Sequence, residues 1–248
     1  MLSNRPLIFT DLDDTLFQTG RKMPKFAERH PASYDAEGNP SGYMSNVQKS
    51  FAEWLFANAD VIPVTARSME VCARVSLPFT HGAICSHGAI ILGKDGVDES
   101  WSRTMARDLT RYQSLLPELS RRTLEVGKRL GFSLRGWVVQ EEGMGCYVVT
   151  KHNDMTDYVL QALANEMSRL GLLDGFYIHR NGNNLAFLPS PLNKRHAVSE
   201  LIRRDREING ERPILGLGDS LSDLPFMNEC HWWATPAIGQ IASHLEGK

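Results

Sequence analysis

Short apolar runs alternate with helical patterns at both ends of the chain. The runs Pro6–Thr10, Val61–Val64 and Ile214–Leu217 have the length and character of buried strands. Between them, apolar residues recur every three or four positions and predict helices that begin after Ser45 and Asn193. The first helix is expected to bury the apolar face made by Val47, Phe51, Trp54 and Leu55. This alternation predicts an α/β fold, a Rossmann-like doubly wound parallel sheet.

The middle of the chain has a different order of elements. A helical stripe from Met105 to Leu119 is interrupted near Pro117, and two alternating stretches follow at 132–140 and 146–150. A second helical stripe and two more strand candidates, 176–179 and 184–188, complete the segment. The second stripe consists of Met155, Val159, Leu163, Met167 and Leu170. Helix, two strands, helix, two strands predicts an α+β unit with an antiparallel sheet and two helices, inserted at residues 96–187 into a core of residues 1–95 and 188–248.

Composition and charge narrow the classes of function. The formal net charge of −2 provides no basic field for nucleic acid and no polybasic stripe for a membrane surface. No apolar run approaches the roughly 20 residues that span a bilayer, and Met1–Pro6 contains no signal-peptide core. The four cysteines have no paired spacing, which is typical of reduced thiols in a cytoplasmic protein. We therefore expect a cytoplasmic protein without nucleic-acid or membrane partners, and its oligomeric state stays open.

Polar residues follow each of the three apolar runs. The first run ends at Asp11-Leu12-Asp13-Asp14-Thr15, the second at Thr65, and the third at Gly218-Asp219-Ser220-Leu221-Ser222-Asp223. The carboxyl ends of parallel strands share one edge of a sheet, where ligands bind. Lys194, at the start of a predicted helix, is placed to reach the same crevice. The sequence therefore predicts a cluster of acids and one lysine at this edge.

Such a cluster suits phosphoryl chemistry. Asp11, Asp219 and Asp223 would repel one another in a dry cleft unless a cation neutralised them, and carboxylates are ligands that Mg²⁺ prefers. Asp11 is then placed as the nucleophile that forms an aspartyl-phosphate. Asp13 is placed to protonate the leaving oxygen and later to activate water. Thr65 and Lys194, with Leu12 and Ala66 beside the two loops, are expected to bind the phosphate group.

These motifs resemble those of the haloacid dehalogenase-like (HAD-like) superfamily. The segment Asp11–Thr15 is similar to its first motif, Thr65 to the second, Lys194 to the third, and 218–223 to the fourth. The resemblance implies a Mg²⁺-dependent phosphatase in which the backbone carbonyl of Asp13 is also a metal ligand. The insert lies where this superfamily places its larger, C2-type cap, and its pattern resembles members that are sucrose-phosphate phosphatase-like or mannosyl-3-phosphoglycerate phosphatase-like. The resemblance thus implies a small phosphate monoester of a sugar or polyol as substrate, with a cap that closes over it.

Within the predicted cap, Lys151, Arg180 and Asn184 are candidates to bind the substrate through hydrogen bonds. Arg67 is expected to be structural. The turn-rich stretch Gln18–Ser45 is longer than a minimal connection and would form a flap near the active site. Lys194 is followed by Arg195, where many relatives have glycine, and this departure concerns the substrate more than the reaction.

Two other functions stay open at this point. A sugar phosphomutase would use the same nucleophile and general acid, and a non-catalytic binding protein could retain the fold. Dehalogenation is disfavoured because Asp13 and the metal-binding acids are present. Release of phosphate into water separates the phosphatase from both alternatives.

Overall fold

The computed structural model describes residues 5–154 and 157–247. Met155, the first position of the second predicted stripe, lies outside the described residues. Within them, no helix is both long and apolar enough to cross a membrane. The four cysteines are free thiols, and three of them are buried.

Within the described residues, fourteen strands form four sheets. In chain order they are β1 (Leu7–Thr10), β2 (Gln18–Thr19), β3 (His30–Tyr34), β4 (Pro40–Met44), β5 (Asp60–Pro63), β6 (Ala83–Cys85), β7 (Ile90–Gly93), β8 (Gly96–Val97), β9 (Leu134–Glu141), β10 (Met144–His152), β11 (Phe176–Asn181), β12 (Asn184–Pro189), β13 (Ile214–Leu217) and β14 (Trp232–Ala234).

The described part of the chain also contains eight α-helices. They are α1 (Asn46–Asn58), α2 (Met69–Cys72), α3 (Glu99–Asp108), α4 (Leu115–Arg129), α5 (Asp157–Arg169), α6 (Lys194–Asn209), α7 (Leu224–Met227) and α8 (Gln240–Leu245). Short 3₁₀ turns occur at Ser86–Gly88 and Thr110–Tyr112.

The chain divides into two compact units. The first combines Met1–Glu99 with Asn193–Lys248, and the second is Ser100–Leu192. The sequence placed these divisions near residues 95 and 188. The predicted fold class is confirmed: the first unit contains a parallel sheet with helices, and the second contains an antiparallel sheet with helices.

The parallel sheet of the first unit has the order β14-β13-β1-β5. Thr10, the last residue of β1, lies beside Leu217 of β13 and Pro63 of β5, so the three strands end at the same level. Pro63 has no N–H to donate, but it lies at the end of β5. The pairing with β1 continues through the next residue, Val64, which donates its N–H to the carbonyl of Thr10 (2.7 Å). This shared edge is where the candidate site residues emerge.

Helix α1 forms where predicted but does not bury the predicted face. Ser45 and Gln48 make a reciprocal capping box at its start. The helix buries Ala52 and Leu55, whereas Val47 is 79% and Trp54 is 58% exposed. The prediction of one buried stripe was wrong for all but Leu55.

The stretch that follows the first motif is a small sheet. Strands β2, β4 and β3 pair antiparallel in that order. In the sequence they lie between the Asp11 loop and α1. Residues 20–29 connect β2 to β3 as a long loop anchored by the buried Met23.

The second unit is built on the antiparallel sheet β11-β12-β10-β9. The hairpin between β9 and β10 turns at Glu142 and Gly143, whose φ values of 49° and 76° suit a tight turn of the primed type. Pro117 lies in the first turn of α4, where its missing N–H costs no helical hydrogen bond. The predicted stripe from Met105 to Leu119 is therefore two helices, α3 and α4, with an irregular connection between them.

Candidate active site

The first motif directly continues the central strand. The N–H of Asp11 donates to the carbonyl of Leu217 (2.8 Å), which extends the parallel ladder by one residue beyond β1. Its carboxylate is buried, with 7% of the residue exposed. The short strand and its parallel neighbours therefore fix Asp11 at the carboxyl edge of the sheet.

Lys194 joins the first motif to the last. Its Nζ donates to Oδ1 of Asp11 (2.6 Å) and to Oδ1 of Asp223 (2.7 Å), and its side chain is 6% exposed. Asn193 caps α6 through its side chain, which accepts from the N–H of Arg195. The cap fixes the first turn of the helix and hence the origin of the Lys194 side chain.

The loop after β13 holds two further buried acids. Asp223 is held by Ser220, whose N–H (3.1 Å) and hydroxyl (2.6 Å) both donate to its Oδ2. A Cβ at Gly218 would lie 2.6 Å from the Cβ of Asp223, so only glycine permits this close approach. Asp219 is 6% exposed and accepts a long hydrogen bond from the hydroxyl of Thr15 (3.4 Å).

The three acids form a potential cation site. Carboxylate oxygens of Asp11, Asp219 and Asp223 all lie within 4.8 Å of one another, and all three residues are buried. Among the described residues, Lys194 is the only cation that bonds to any of the three carboxylates. An all-oxygen donor set with uncompensated negative charge fits a hard divalent cation such as Mg²⁺.

The pKa values of the cluster reflect this shortage of positive charge. Burial raises the pKa of Asp11 well above its ordinary value, against the attraction of Lys194. Burial and the charges of Asp223 and Asp14 raise the pKa of Asp219 to about 7. Burial alone would lower the pKa of Lys194, but Asp11 and Asp223 raise it above its ordinary value. The lysine is therefore held as an ammonium between two acids.

Asp13 is bound by a side chain that the sequence had assigned only a structural role. Arg67 donates from Nε to Oδ2 of Asp13 and from a terminal nitrogen to Oδ1, both at 2.7 Å. The guanidinium also lies over the ring of Phe17, 5.0 Å from its centroid. Burial alone would lower the pKa of Arg67, but its hydrogen bonds to Asp13 and the negative charge of that carboxylate raise the pKa above its ordinary value.

The predicted phosphate-binding residues lie around the same edge. Thr65 is 1% exposed, its N–H donates to Ile84, and its hydroxyl oxygen accepts from the N–H of Arg67 (3.0 Å). The carbonyl of Leu12 accepts from the N–H groups of Thr15, Leu16 and Phe17 and so tightens the loop after β1. The phosphate-binding roles of Thr65, Leu12, Ala66 and Lys194 stay predictions.

Comparison with solved structures identifies this architecture. The sucrose-phosphatase from Synechocystis, solved with sucrose and phosphate, matches 99% of this chain and 97% of its own, with a TM-score of 0.55 and 15% identity. The C-terminal domain of the trehalose-6-phosphate phosphatase from C. albicans matches 91% of this chain and 74% of its own, with a TM-score of 0.53 and 15% identity.

A HAD-superfamily phosphatase from Bacteroides thetaiotaomicron matches 98% of this chain and 94% of its own, with a TM-score of 0.50 and 12% identity. The chain has the HAD-like fold. By sequence, neither a family model nor a curated protein matches the chain. At these identities the shared property is the fold, a parallel-sheet core with an inserted antiparallel-sheet cap, here Ser100–Leu192.

The cap of this HAD-like fold separates the three predicted substrate-binding residues. Lys151 and Val149 share one face of the sheet, and Val149 pairs with Ala186, which shares its face with Asn184. Arg180 pairs with Leu185, which points to the other face. Lys151 and Asn184 are thus on a common face, whereas Arg180 is not.

Two contacts near the acids escaped the sequence analysis. Lys22, in the long loop after β2, donates to Oδ2 of Asp14 (2.5 Å). Gly88 has a φ of 99°, and a Cβ there would lie 2.7 Å from the carbonyl of Asn193, at the start of α6. The sequence does show a basic loop around Lys22 and a Ser-His-Gly turn at Gly88. It does not show that Lys22 binds Asp14 or that Gly88 contacts Asn193.

Proposed function

We propose that the chain is a Mg²⁺-dependent phosphatase that hydrolyses a small phosphate monoester of a sugar or polyol. The convergence of Asp11, Asp219 and Asp223 on one buried point, with Lys194 bonded to two of them, carries the proposal. The shared fold with phosphatases that act on sucrose phosphate and trehalose 6-phosphate supports it.

Asp11, Asp219, Asp223 and the backbone carbonyl of Asp13 would hold the cation. When bound, Mg²⁺ offsets the negative charge of the phosphate, so that a carboxylate can approach phosphorus. Lys194 would then contribute its ammonium to the phosphoryl oxygens, with the hydroxyl of Thr65 and the N–H groups of Leu12 and Ala66 as further donors.

The reaction proceeds in two displacements. A carboxylate oxygen of Asp11 attacks phosphorus, the bond from phosphorus to the alcohol oxygen breaks, and Asp13 gives its proton to that oxygen. Asp13 then takes a proton from water as the water oxygen attacks phosphorus and the bond to Asp11 breaks. Inorganic phosphate leaves and both aspartates return to their starting states.

On the cap, Lys151 and Asn184 share a sheet face and are the proposed contacts to the alcohol part of the substrate. Trp137 is 44% exposed and lies below the ammonium of Lys151, 5.9 Å from the ring centroid. An exposed aromatic face beside hydrogen-bond donors is a common arrangement for carbohydrate recognition. Arg180 lies on the other face of the sheet, so we do not propose it as a contact to the substrate.

The deciding experiment is release of inorganic phosphate from phosphorylated sugars, polyols and nucleotides, with and without Mg²⁺. Wild type is expected to turn over at least one sugar or polyol phosphate only with Mg²⁺, and Asp11→Asn is expected to lose at least about 1,000-fold in kcat. Asp11→Asn keeps the shape of the site and an oxygen for Lys194, so loss of activity reports the nucleophile.

Transfer of labelled phosphate to another position of the same sugar, without release, would replace the phosphatase by a mutase. Wild type that neither releases nor transfers phosphate would overturn the proposal. The chain would then be a binding protein with this fold.

A further inference from the structure

The loop that joins β2 to β3 concentrates positive charge. Between Gly20 and His30 it carries four basic side chains and one acid, Glu28, in a chain whose formal net charge is −2. Glu28 bonds to the side-chain amide of Asn46. The four basic residues, all exposed, are Arg21, Lys22, Lys25 and Arg29.

The loop is held in place beside the catalytic edge. Met23 is buried at 5% exposure, and the N–H of Lys22 donates to the carbonyl of Thr19 in β2 (2.9 Å). β2 itself begins one residue after Phe17, whose carbonyl accepts from the N–H of Asp14 (2.7 Å). Only the two residues of β2, Gln18 and Thr19, therefore separate Phe17 from the start of the loop.

Lys22 is the basic residue that reaches the motif. Its Nζ bonds to Asp14, a residue that the proposed reaction does not use, and its side chain is 50% exposed. A half-exposed pair of this kind contributes little to stability, so the ammonium can exchange partners at low cost.

Two other cations of the loop add to the local field. Within the described residues Lys25 and Arg29 have no carboxylate partner, and the guanidinium of Arg29 lies over the ring of Tyr43 (5.9 Å). The phosphoryl group already has Lys194 and Thr65 as its donors. A separate basic loop at the same edge thus matches a negative charge elsewhere on the ligand.

We propose that Lys22 binds a second anionic group, a carboxylate or a phosphate, carried by the alcohol part of the phosphate monoester. This inference rests on the proposed function and narrows its substrate class from sugar or polyol phosphates in general to those with an additional anion. Asp14 holds Lys22 in the free protein, and the anionic group of the substrate takes its place.

Matched ligands test this without requiring turnover. Dissociation constants are measured by calorimetry, with Mg²⁺, on the Asp11→Asn background. The pairs are 3-phosphoglycerate with glycerol 3-phosphate and fructose 1,6-bisphosphate with fructose 1-phosphate, which differ by one anionic group. The member with the second anion is expected to bind about tenfold tighter, the size of one charge-assisted hydrogen bond. Preference in the first pair indicates a carboxylate, and preference in the second a phosphate.

Lys22→Met is expected to reduce that preference to about twofold or less, and Lys22→Glu to reverse it. Lys49→Met is the control, because Lys49 is 47% exposed and pairs with Glu53, four residues away on α1. Asp14→Asn is expected to increase the preference, since it frees Lys22. These opposite effects separate recognition from a loss of stability, which would shift both members of a pair together.

The inference is overturned if both members of each pair bind alike, if Lys22→Met keeps the wild-type preference, or if Lys49→Met loses it equally. Phosphate release without any preference leaves the proposed function standing and removes this inference. A Lys22-dependent preference without phosphate release supports the anion-binding role of Lys22 and contradicts the proposed phosphatase function.

Discussion

Ion pairs hold Asp11, Asp13 and Asp223 at the candidate site. Asp13 is the most exposed of them, with 39% of its side chain accessible, and two bonds from Arg67 fix its orientation. A side chain that must deliver a proton to one atom needs such a constraint. In the proposed mechanism, Arg67 is therefore a positioning residue that acts through Asp13.

Arg67→Gln tests this role through the leaving group. An alkyl phosphate needs a proton on its departing oxygen, whereas p-nitrophenyl phosphate does not. The variant is expected to lose about 100-fold in kcat for the alkyl ester and little for the aryl ester, and Arg67→Lys to recover part of the loss. Arg74→Gln is the control, because Arg74 pairs with the exposed Glu70 four residues away. Equal losses for both esters would contradict the positioning role.

At this scale the sequence predicted that the three acids meet beside Lys194, but it did not predict that Arg67 binds Asp13. Asp11, Asp219 and Asp223 each follow a strand of one parallel sheet, so topology alone brings them together. The pair Arg67–Asp13 joins residues 54 positions apart, and no local pattern specifies a partner for a long, flexible side chain. The residues of the cluster were therefore predictable, and the pairing of Asp13 was not.

One close contact between two elements positions α6 at the candidate site. The turn at Gly88 touches the start of α6, where a Cβ would lie 3.3 Å from the backbone nitrogen of Lys194. The turn thus sets where α6 begins, and with it where the ammonium lies.

Gly88→Ala and Gly96→Ala form a matched pair. Both glycines have positive φ, 99° and 113°, but a Cβ at Gly96 meets nothing within 4 Å. Gly96→Ala is expected to cost about 1 kcal/mol of unfolding free energy and no activity. Gly88→Ala is expected to cost more and to lower kcat/KM about 100-fold by displacing Lys194. Urea unfolding and phosphate release measure the two effects, and equal behaviour would show that the contact does not position α6.

The opposite ends of the parallel strands are joined by a buried ion-pair network. Arg212, just before β13, donates to Asp60 at the start of β5 (2.6 Å), to Asp205 of α6 (2.6 Å) and to the carbonyl of Arg5 before β1 (2.8 Å). The side chains of Arg212 and Asp60 are 6% and 5% exposed. One arginine thus connects the starts of three neighbouring strands.

Arg212→Met is expected to lower the free energy of unfolding by about 3 kcal/mol, because it removes the guanidinium that bonds to the buried Asp60 and to Asp205, while Arg5 stays within 3.2 Å of Asp60. Arg206→Met, which removes an exposed pair with Glu211, is expected to change it by less than about 0.5 kcal/mol. Urea denaturation compares the two variants. A small effect of Arg212→Met would mean that water or a shift of the strands compensates for the lost pairs.

Among the elements, three strands of the parallel sheet and all four strands of the antiparallel sheet β11-β12-β10-β9 were predicted from their patterns. Strand β14, the sheet β6-β7-β8 and two further features were not. The small sheet β2-β4-β3 contains only short strands, and its turn-rich sequence resembled a loop. The apolar residues of α1 suggested a buried stripe, but the helix buries Ala52 and Leu55 instead. Burial is decided by what packs against the helix, which its own sequence does not contain.

For the whole molecule, the acidic cluster predicts stabilisation by a divalent cation. A ligand that binds only the folded state at 100 times its dissociation constant adds about 2.7 kcal/mol. Mg²⁺ is therefore expected to raise the Tm by about 5–10 °C relative to NaCl of equal ionic strength. Asp219→Asn removes one of the three carboxylates and is expected to abolish most of the shift. An unchanged Tm in wild type would argue against a cation at this cluster.

The order in which the strands appear along the chain has a consequence for biosynthesis. β1 lies between β5, which follows it within the first quarter of the chain, and β13, which begins only at Ile214. The second unit is continuous, Ser100–Leu192, and has all of its sheet before β13 is translated. On the ribosome, the cap can fold while β1 still presents an unpaired edge that waits for its second neighbour. The residue proposed as nucleophile is thus synthesised well before Lys194, Asp219 and Asp223, which complete its surroundings.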